Sequence, residues 1–395
     1  MNTIVRKFDN YQYRGISLDP LWVIFNKRWK PPLTALLFTA FLARFNTVFE
    51  IRVFSTSEKQ RKTKFELVEK EIGEKTIRSY VYNLAQFLSY LEECHVEHDT
   101  PDMHSSTSCS ERFVNHYLNE VLANRLDTEG SLGAHCSALT AFFNFCHYME
   151  FGPRMTLRIE RKTRQQMANR SEKPTYIQYV TRESRRKLLI QCRTLAEKLM
   201  MRLGFEAGLR TSELPGLRTQ QLAQLFAQLD TPEFSEMQQF KYWLKGRYTK
   251  GGKSRWIYFD RELLADMQRY FKTERQWVVD QTKSTDEAFF LRTDTAGIGK
   301  GVSAEQGTNV FRKRANAAGL NPQLSFHDLR HTFATELFHE EIAGPEGRET
   351  RSEPAALIVV AQRLGHSLTR GGHAPPVTTR YIRMRIQMLE LEAEL

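Results

Sequence analysis

Apolar residues recur at helical spacing in two stretches of the first half of the chain. Ile77, Val81, Leu84, Leu88 and Leu91 fall on one face of a helix, and Leu139, Phe142, Phe143, Cys146 and Met149 on one face of another. Thr76 is placed to cap the first, and Gly152-Pro153 stops the second. Residues 100–110, between them, are rich in Ser, Thr and Asp and read as a loop. Upstream, the apolar run 33–43 predicts a buried helix. It is too short to span a bilayer, which takes about twenty residues. Residues 48–54 alternate apolar and polar at the period of a strand. In the second half, residues 188–206 and 262–272 follow a helical pattern, and residues 243–246 and 254–259 read as two strands joined by a Gly251-Gly252 turn. The prediction is a mostly α protein with a small antiparallel sheet in its second half.

A chain of 395 residues holds two or three ordinary domains. The pattern divides it into an N-terminal extension over 1–62 with no assigned role, a helical domain over 63–152, a linker over 153–173 and a second domain over 174–395. Charge adds a partner. The net charge is +11, and residues 153–187 carry eleven Lys/Arg against three Asp/Glu. Such a balance suits a nucleic acid, with salt-dependent binding. Arg161, Lys162 and Arg164 in the linker are the candidate phosphate contacts. Five cysteines, an odd number without a C-x-x-C pair, fit a reducing cytoplasm better than a disulfide framework. Cys94, His95, His98 and Cys109 match no common zinc spacing, so no metal site is expected. The first residues lack the apolar stretch of a signal peptide, so the expected location is the cytoplasm, with no membrane partner.

The candidate chemistry lies in the second domain. Arg210 stands in Gly-Leu-Arg-Thr-Ser-Glu-Leu (208–214), three residues before Glu213. His327 and Arg330, in His-Asp-Leu-Arg-His-Thr-Phe-Ala-Thr (327–335), are one helical turn apart and so share a face. His366 follows in Leu-Gly-His-Ser (364–367), and Tyr381 is the sole tyrosine after His327. Arginine offers a planar fork that fits two phosphate oxygens. Histidine moves protons near neutral pH, and a tyrosine that loses its proton can be a covalent nucleophile. Each of these residues alone would pass for a surface ion pair, a capping histidine or a core tyrosine.

Taken together and in this order, the motifs resemble those of the tyrosine recombinases, the family of phage integrases and chromosome-dimer resolvases, over roughly residues 63–390. The resemblance implies a helical core-binding, SAM-like domain followed by a mixed α+β catalytic domain. It implies DNA cleavage and rejoining through a 3′-phosphotyrosine, with no cofactor, metal or ATP. By the same resemblance Arg210 and Arg330 bind the scissile phosphate and Glu213 buttresses Arg210. Lys250 on the hairpin protonates the leaving 5′ oxygen, with Lys253 the alternative for that role or a DNA contact. His327 acts as general acid/base, His366 hydrogen-bonds the phosphate and Tyr381 attacks; His331 is read as structural.

The expected protein is a site-specific recombinase or integrase of a mobile element, acting on double-stranded DNA as a homo-tetramer, with accessory recombinase subunits as further partners. A non-cutting DNA-binding protein of the same fold and a type IB topoisomerase are the alternatives. The chain departs from the family pattern in a charged segment near 339–354 and in an enlarged stretch over 367–377 that contains His373. The tail from Ile386 is expected to dock on a neighbouring protomer through Met388, Leu389 and Leu391.

Overall fold

The computed structural model describes residues 2–56, 62–98, 101–170, 178–249, 252–295, 297–343, 351–369 and 371–393. The chain forms two compact units, residues 1–174 and 175–395. Both are mainly helical, and each carries small antiparallel strand pairs.

The first unit opens with four strands, β1 (Thr3–Phe8), β2 (Tyr11–Tyr13), β3 (Ile16–Leu18) and β4 (Leu21–Asn26). β1 pairs with β4, and β2 with β3, both antiparallel. The apolar run at 33–43 becomes α1 (Leu33–Phe45), which ends on Asn46 in the left-handed conformation. β5 (Thr47–Thr56) and β6 (Lys62–Glu71) form a long hairpin, and α2 (Glu74–His98) follows. α3 (Glu111–His116) runs through a π-helical turn into the short α4 (Ala123–Arg125), and α5 (Glu129–Tyr148) and α6 (Arg161–Arg170) complete the unit.

Two expected boundaries change. The break at 62/63 falls inside the β5–β6 hairpin, and residues 1–62 are not an appendage. Trp22, Ile24, Phe38, Leu42, Val48 and Phe49 share one core with the predicted stripe of α2 and with Leu139, Phe142, Phe143 and Cys146 of α5, while Met149 is exposed past the helix end. Phe38 packs edge-on against Phe142, with ring centroids 5.5 Å apart, and buried Asn144 donates to the Phe49 carbonyl at 2.8 Å. A strand pair and α1 cover a face that two helices alone would leave wet.

The basic segment 153–173 is likewise no free linker. Asn115 and Asn119 bond the backbone of residues 156–160 on both sides, at 2.8–3.1 Å. Met155 and Met167 are buried in the same core. Burial fixes the faces of α6: Thr163 and Met167 point inward, leaving Arg161, Lys162 and Arg164 exposed.

The second unit begins with α7 (Arg182–Ile190) and α8 (Leu195–Phe205). These split the single helix expected over 188–206, because the Thr194 hydroxyl accepts from the Glu197 amide and starts a new helix there. A 3₁₀ turn (Thr211–Gly216) and α9 (Thr219–Asp230) follow. β7 (Gln239–Leu244) pairs antiparallel with β8 (Arg255–Asp260). α10 (Arg261–Tyr270) continues through a π turn into α11 (Gln276–Thr282). Then come α12 (Gln306–Ala317), α13 (Phe326–Ile342), α14 (Glu353–Leu364) and α15 (Pro376–Ala393).

α13 is the pivot of this unit. Phe326 and Leu329 belong to the core formed with α8–α10, α12 and the β7–β8 pair. Ala334, Leu337, Phe338 and Ile342 belong to a second core with α14 and α15. A helix packed on opposite faces must bury whatever lies between them. Arg330, His331, Thr332 and Thr335 are buried accordingly. Among the described residues, no helix is long and apolar enough to cross a membrane.

The shared core of the first unit makes a prediction. Phe38→Ala should cost about 3–5 kcal/mol and lower the urea midpoint of the whole unit. A midpoint unchanged from the parent would mean that residues 1–62 are an appendage after all.

Candidate active site

Glu213 is the centre of the site. It lies in the 3₁₀ turn after Arg210 with its carboxylate fully buried. Arg255 on β8 donates to both carboxylate oxygens, at 2.6 and 2.8 Å. Arg210 donates to Oε1 at 2.9 Å, and its own backbone N–H donates to Oε2 at 2.8 Å. Arg330 Nη1 stands 3.6 Å from Oε2. Burial pushes the Glu213 carboxyl up. The Arg255 bonds and the charges of Arg255, Arg330 and Arg210 outweigh it and hold the group at about 2.

Arg330 is 1% exposed. Its Nη1 donates to the Gly208 carbonyl, just past the end of α8, and its Nη2 to the Leu364 carbonyl, the last of α14, at 2.6 Å. The cation thus meets the electronegative end of α14 and a carbonyl of the loop after α8. Burial pulls its pKa down and Glu213 raises it. With Arg210 and Arg255 also lowering it, the net is about 9. Two glycines allow the approach. Gly208 (φ +64°) leaves room for the Phe333 ring, which an added Cβ would meet at 2.4 Å. Gly365 (φ +69°) closes α14 in the left-handed conformation against the Arg255 stem.

His366 sits on the next residue, its amide bonded to the Ala361 carbonyl at 2.8 Å. Its Nδ1 shares a hydrogen bond of 3.0 Å with the Thr378 hydroxyl of α15. Burial lowers its pKa to about 4, helped by Arg330, Arg210, Arg255 and Arg380. Tyr381 lies one turn beyond Thr378 and is 1% exposed. Burial raises the pKa of its phenol, while Arg330, Arg380 and Arg210 lower it. Its hydroxyl and His331 Nδ1 are 3.0 Å apart. His327, at the exposed start of α13, packs its ring edge-on against His331, centroids 4.3 Å apart. Asp328 starts that helix by accepting from the Ser325 amide and hydroxyl, both at 2.8 Å.

Arg210 and Arg330 therefore meet at Glu213, while Tyr381 bonds His331 next to Arg330 on α13, His366 bonds Thr378 one turn before Tyr381, and His327 packs on His331. Lys250 lies outside the described residues. Lys253 is exposed near the end of the loop before β8 and donates to the Ser367 hydroxyl at 2.6 Å. Arg161, Lys162 and Arg164 belong to the first unit. In the enlarged stretch the Thr369 and His373 backbones bond each other at 2.9 Å, and Arg370 lies outside the described residues. Residues 344–350 of the charged segment also lie outside them.

The tail departs from expectation: α15 is one helix from Pro376 to Ala393, and Met388 and Leu391 pack onto this unit's own core. Ile386 and Leu389 stay exposed. Arg255 was missed in the sequence. Its clue was the inward register it shares with Ile257 and Phe259 on a strand of alternating burial.

Residues 178–344 match the model of the phage integrase family. A tyrosine recombinase XerC of Lactobacillus leichmannii is 24% identical over 201 residues, 51% of this chain and 54% of the relative. XerA of Pyrococcus horikoshii is 26% identical over 214 residues, 54% of this chain and 61% of the relative. The C-terminal unit belongs to the tyrosine recombinase family. The chain spans about half the length of the curated relatives it matches. The XerH site-specific recombinase, solved bound to palindromic difH substrate as a post-cleavage complex, shares the fold. Its TM-score is 0.52 at 16% identity, covering 76% of this chain and 75% of that one. In this tyrosine recombinase unit the family-model match covers Arg210, His327 and Arg330 and ends before His366 and Tyr381.

The Glu213 network makes the unit's stability pH-dependent. The folded carboxyl lies below its ordinary 4.5, so its contribution is fully present above about pH 4.5 and is lost as pH falls toward 2. That contribution is roughly 3 kcal/mol. Glu213→Gln should remove this acid-limb dependence and destabilise the unit by about 3–5 kcal/mol, because it strands buried arginines. Parallel acid-unfolding curves for parent and variant would refute the assignment.

Proposed function

We propose that the protein is a site-specific DNA recombinase, an integrase of a mobile genetic element, that cuts and rejoins strands through a 3′-phosphotyrosine. The observation that carries this reading is the cluster in which buried Arg330 and partly exposed Arg210 surround one carboxylate, with Tyr381 and His366 on elements packed against it. Three arginines share a single anion there. The surplus positive charge suits a phosphodiester.

In this mechanism Arg210 and Arg330 neutralise the oxygens of the phosphorane-like transition state. His366 is a neutral donor, since burial and the surrounding arginines hold it at about 4. The Tyr381 oxygen attacks phosphorus and loses its proton, with His327 as the general acid/base. The bond to the 5′ oxygen breaks, and Lys250 supplies the proton that oxygen takes up. A 5′-hydroxyl from another strand reverses the step, because the energy of the broken bond stays in the covalent link. One tyrosine per chain cuts one strand, so exchange of two duplexes takes four chains. The first unit acts as the second half of a clamp, with Arg161, Lys162 and Arg164 on the phosphate backbone.

Tyr381→Phe removes one oxygen and keeps the ring. Site binding should survive, while the covalent adduct on a nicked suicide substrate vanishes. An adduct formed by the Phe variant would name another nucleophile. Its absence even from the parent would favour a non-cutting binder, and relaxation of supercoils without joined recombinants a topoisomerase. Neutralising Arg161, Lys162 and Arg164 should weaken binding on every DNA sequence and flatten the dependence on salt by about one phosphate contact per lost charge. An unchanged slope would show that this face of α6 does not meet DNA.

A further inference from the structure

His331 follows Arg330 directly on α13, and both side chains are buried. The imidazole is held from several directions. The His327 ring packs edge-on against it at 4.3 Å. Thr335 donates to the His331 carbonyl at 2.9 Å and bonds the sulfur of Met384 on α15 at 3.6 Å. On the remaining side lies the Tyr381 hydroxyl, 3.0 Å from Nδ1.

A phenol buried to this degree pays for a proton left without an acceptor. Arg330 offers only donors, and His331 Nδ1 is within reach. Burial, with the neighbouring His327, Arg330, Arg380 and His366, holds His331 at about 2, so the ring is neutral near pH 7. Burial pushes the Tyr381 phenol above its ordinary 10. The proton therefore stays on the tyrosine, and His331 is its acceptor rather than its base.

We propose that His331 is the positioning residue for the nucleophile. Its Nδ1 accepts a hydrogen bond from the Tyr381 hydroxyl and fixes the phenol relative to Arg330 on the same helix. Nucleophile and phosphate site then share one register. The inference rests on the reading of Tyr381 as the nucleophile, but the hydrogen bond can be tested apart from it.

The test uses the full chain with His331→Phe, which keeps a ring and removes the acceptor, and His331→Asn, whose side-chain oxygen stands near the place of Nδ1. With saturating suicide DNA, the Phe variant should bind as the parent does and form adduct about ten- to a hundredfold more slowly. The Asn variant should recover most of the rate. The carbon resonance of the Tyr381 phenol, assigned by its loss in Tyr381→Phe, should move in the Phe variant and return toward the parent in Asn. The ring nitrogens of His331 in the unmutated protein should report a neutral imidazole with the proton on Nε2.

A parent-like adduct rate in His331→Phe overturns the proposal. So does an Asn variant that folds yet is as slow as Phe, which would point to ring packing. A proton on Nδ1 overturns it whether or not either variant folds. Should the parent form no adduct, the nucleophile reading fails. An unmoved Tyr381 resonance in the Phe variant would sink the hydrogen bond separately.

Discussion

Everything in the second unit hangs on one buried carboxylate. Glu213 gathers Arg210 from its own turn, Arg255 from β8 and Arg330 from α13. Three guanidinium groups so close would repel one another in a dry interior, and one negative charge offsets only part of that. The Gly208 carbonyl after α8 and the carbonyl end of α14 take up more, through Arg330. The elements are thus cross-braced by electrostatics as well as by apolar packing. The remaining positive charge is a standing demand for an anion.

Much of this arrangement was legible in the sequence. Arg210, His327, Arg330, His366 and Tyr381 lie in short strings whose order resembles a known family's, and the fold brings Arg210 and Arg330 to Glu213, with Tyr381 on His331 and His366 on Thr378. The helical stripes of α2 and α5, the β7–β8 pair and the short helix α1 also follow from period and turn residues. What stayed hidden depends on partners far apart in the chain. Arg255 looks like any strand arginine until Glu213 is beside it. His331 looks structural until α15 lays Tyr381 against it. The role of residues 1–62 could not be read because their apolar face is completed by helices that come later in the chain. The basic stretch 153–173 has the charge of a tether, yet Asn115 and Asn119 bond its backbone and its Met155 and Met167 are buried.

α13 concentrates these demands. Its outer faces are ordinary core, and the strip between them holds Arg330, His331, Thr332 and Thr335. Each is satisfied locally: Thr332 accepts from the Val180 amide at 2.9 Å, and Thr335 turns back to its own helix. A polar strip inside a helix buried on opposite sides leaves little freedom for register error. A one-residue slip would take Arg330 away from Glu213 and its carbonyl partners. The same arrangement buries the Tyr381 side chain beside His331 of this strip.

The two left-handed glycines set how far this site could drift in evolution. At Gly208 an added methyl group would strike the Phe333 ring, and at Gly365 it would strike the Arg255 stem at 2.8 Å. Neither glycine carries a functional group, yet each guards the seat of one. Variation at these places would register first as altered placement of an arginine, before any loss of fold. Two hydrogen atoms, where every other amino acid has a carbon, decide whether the guanidinium groups can reach their common partner.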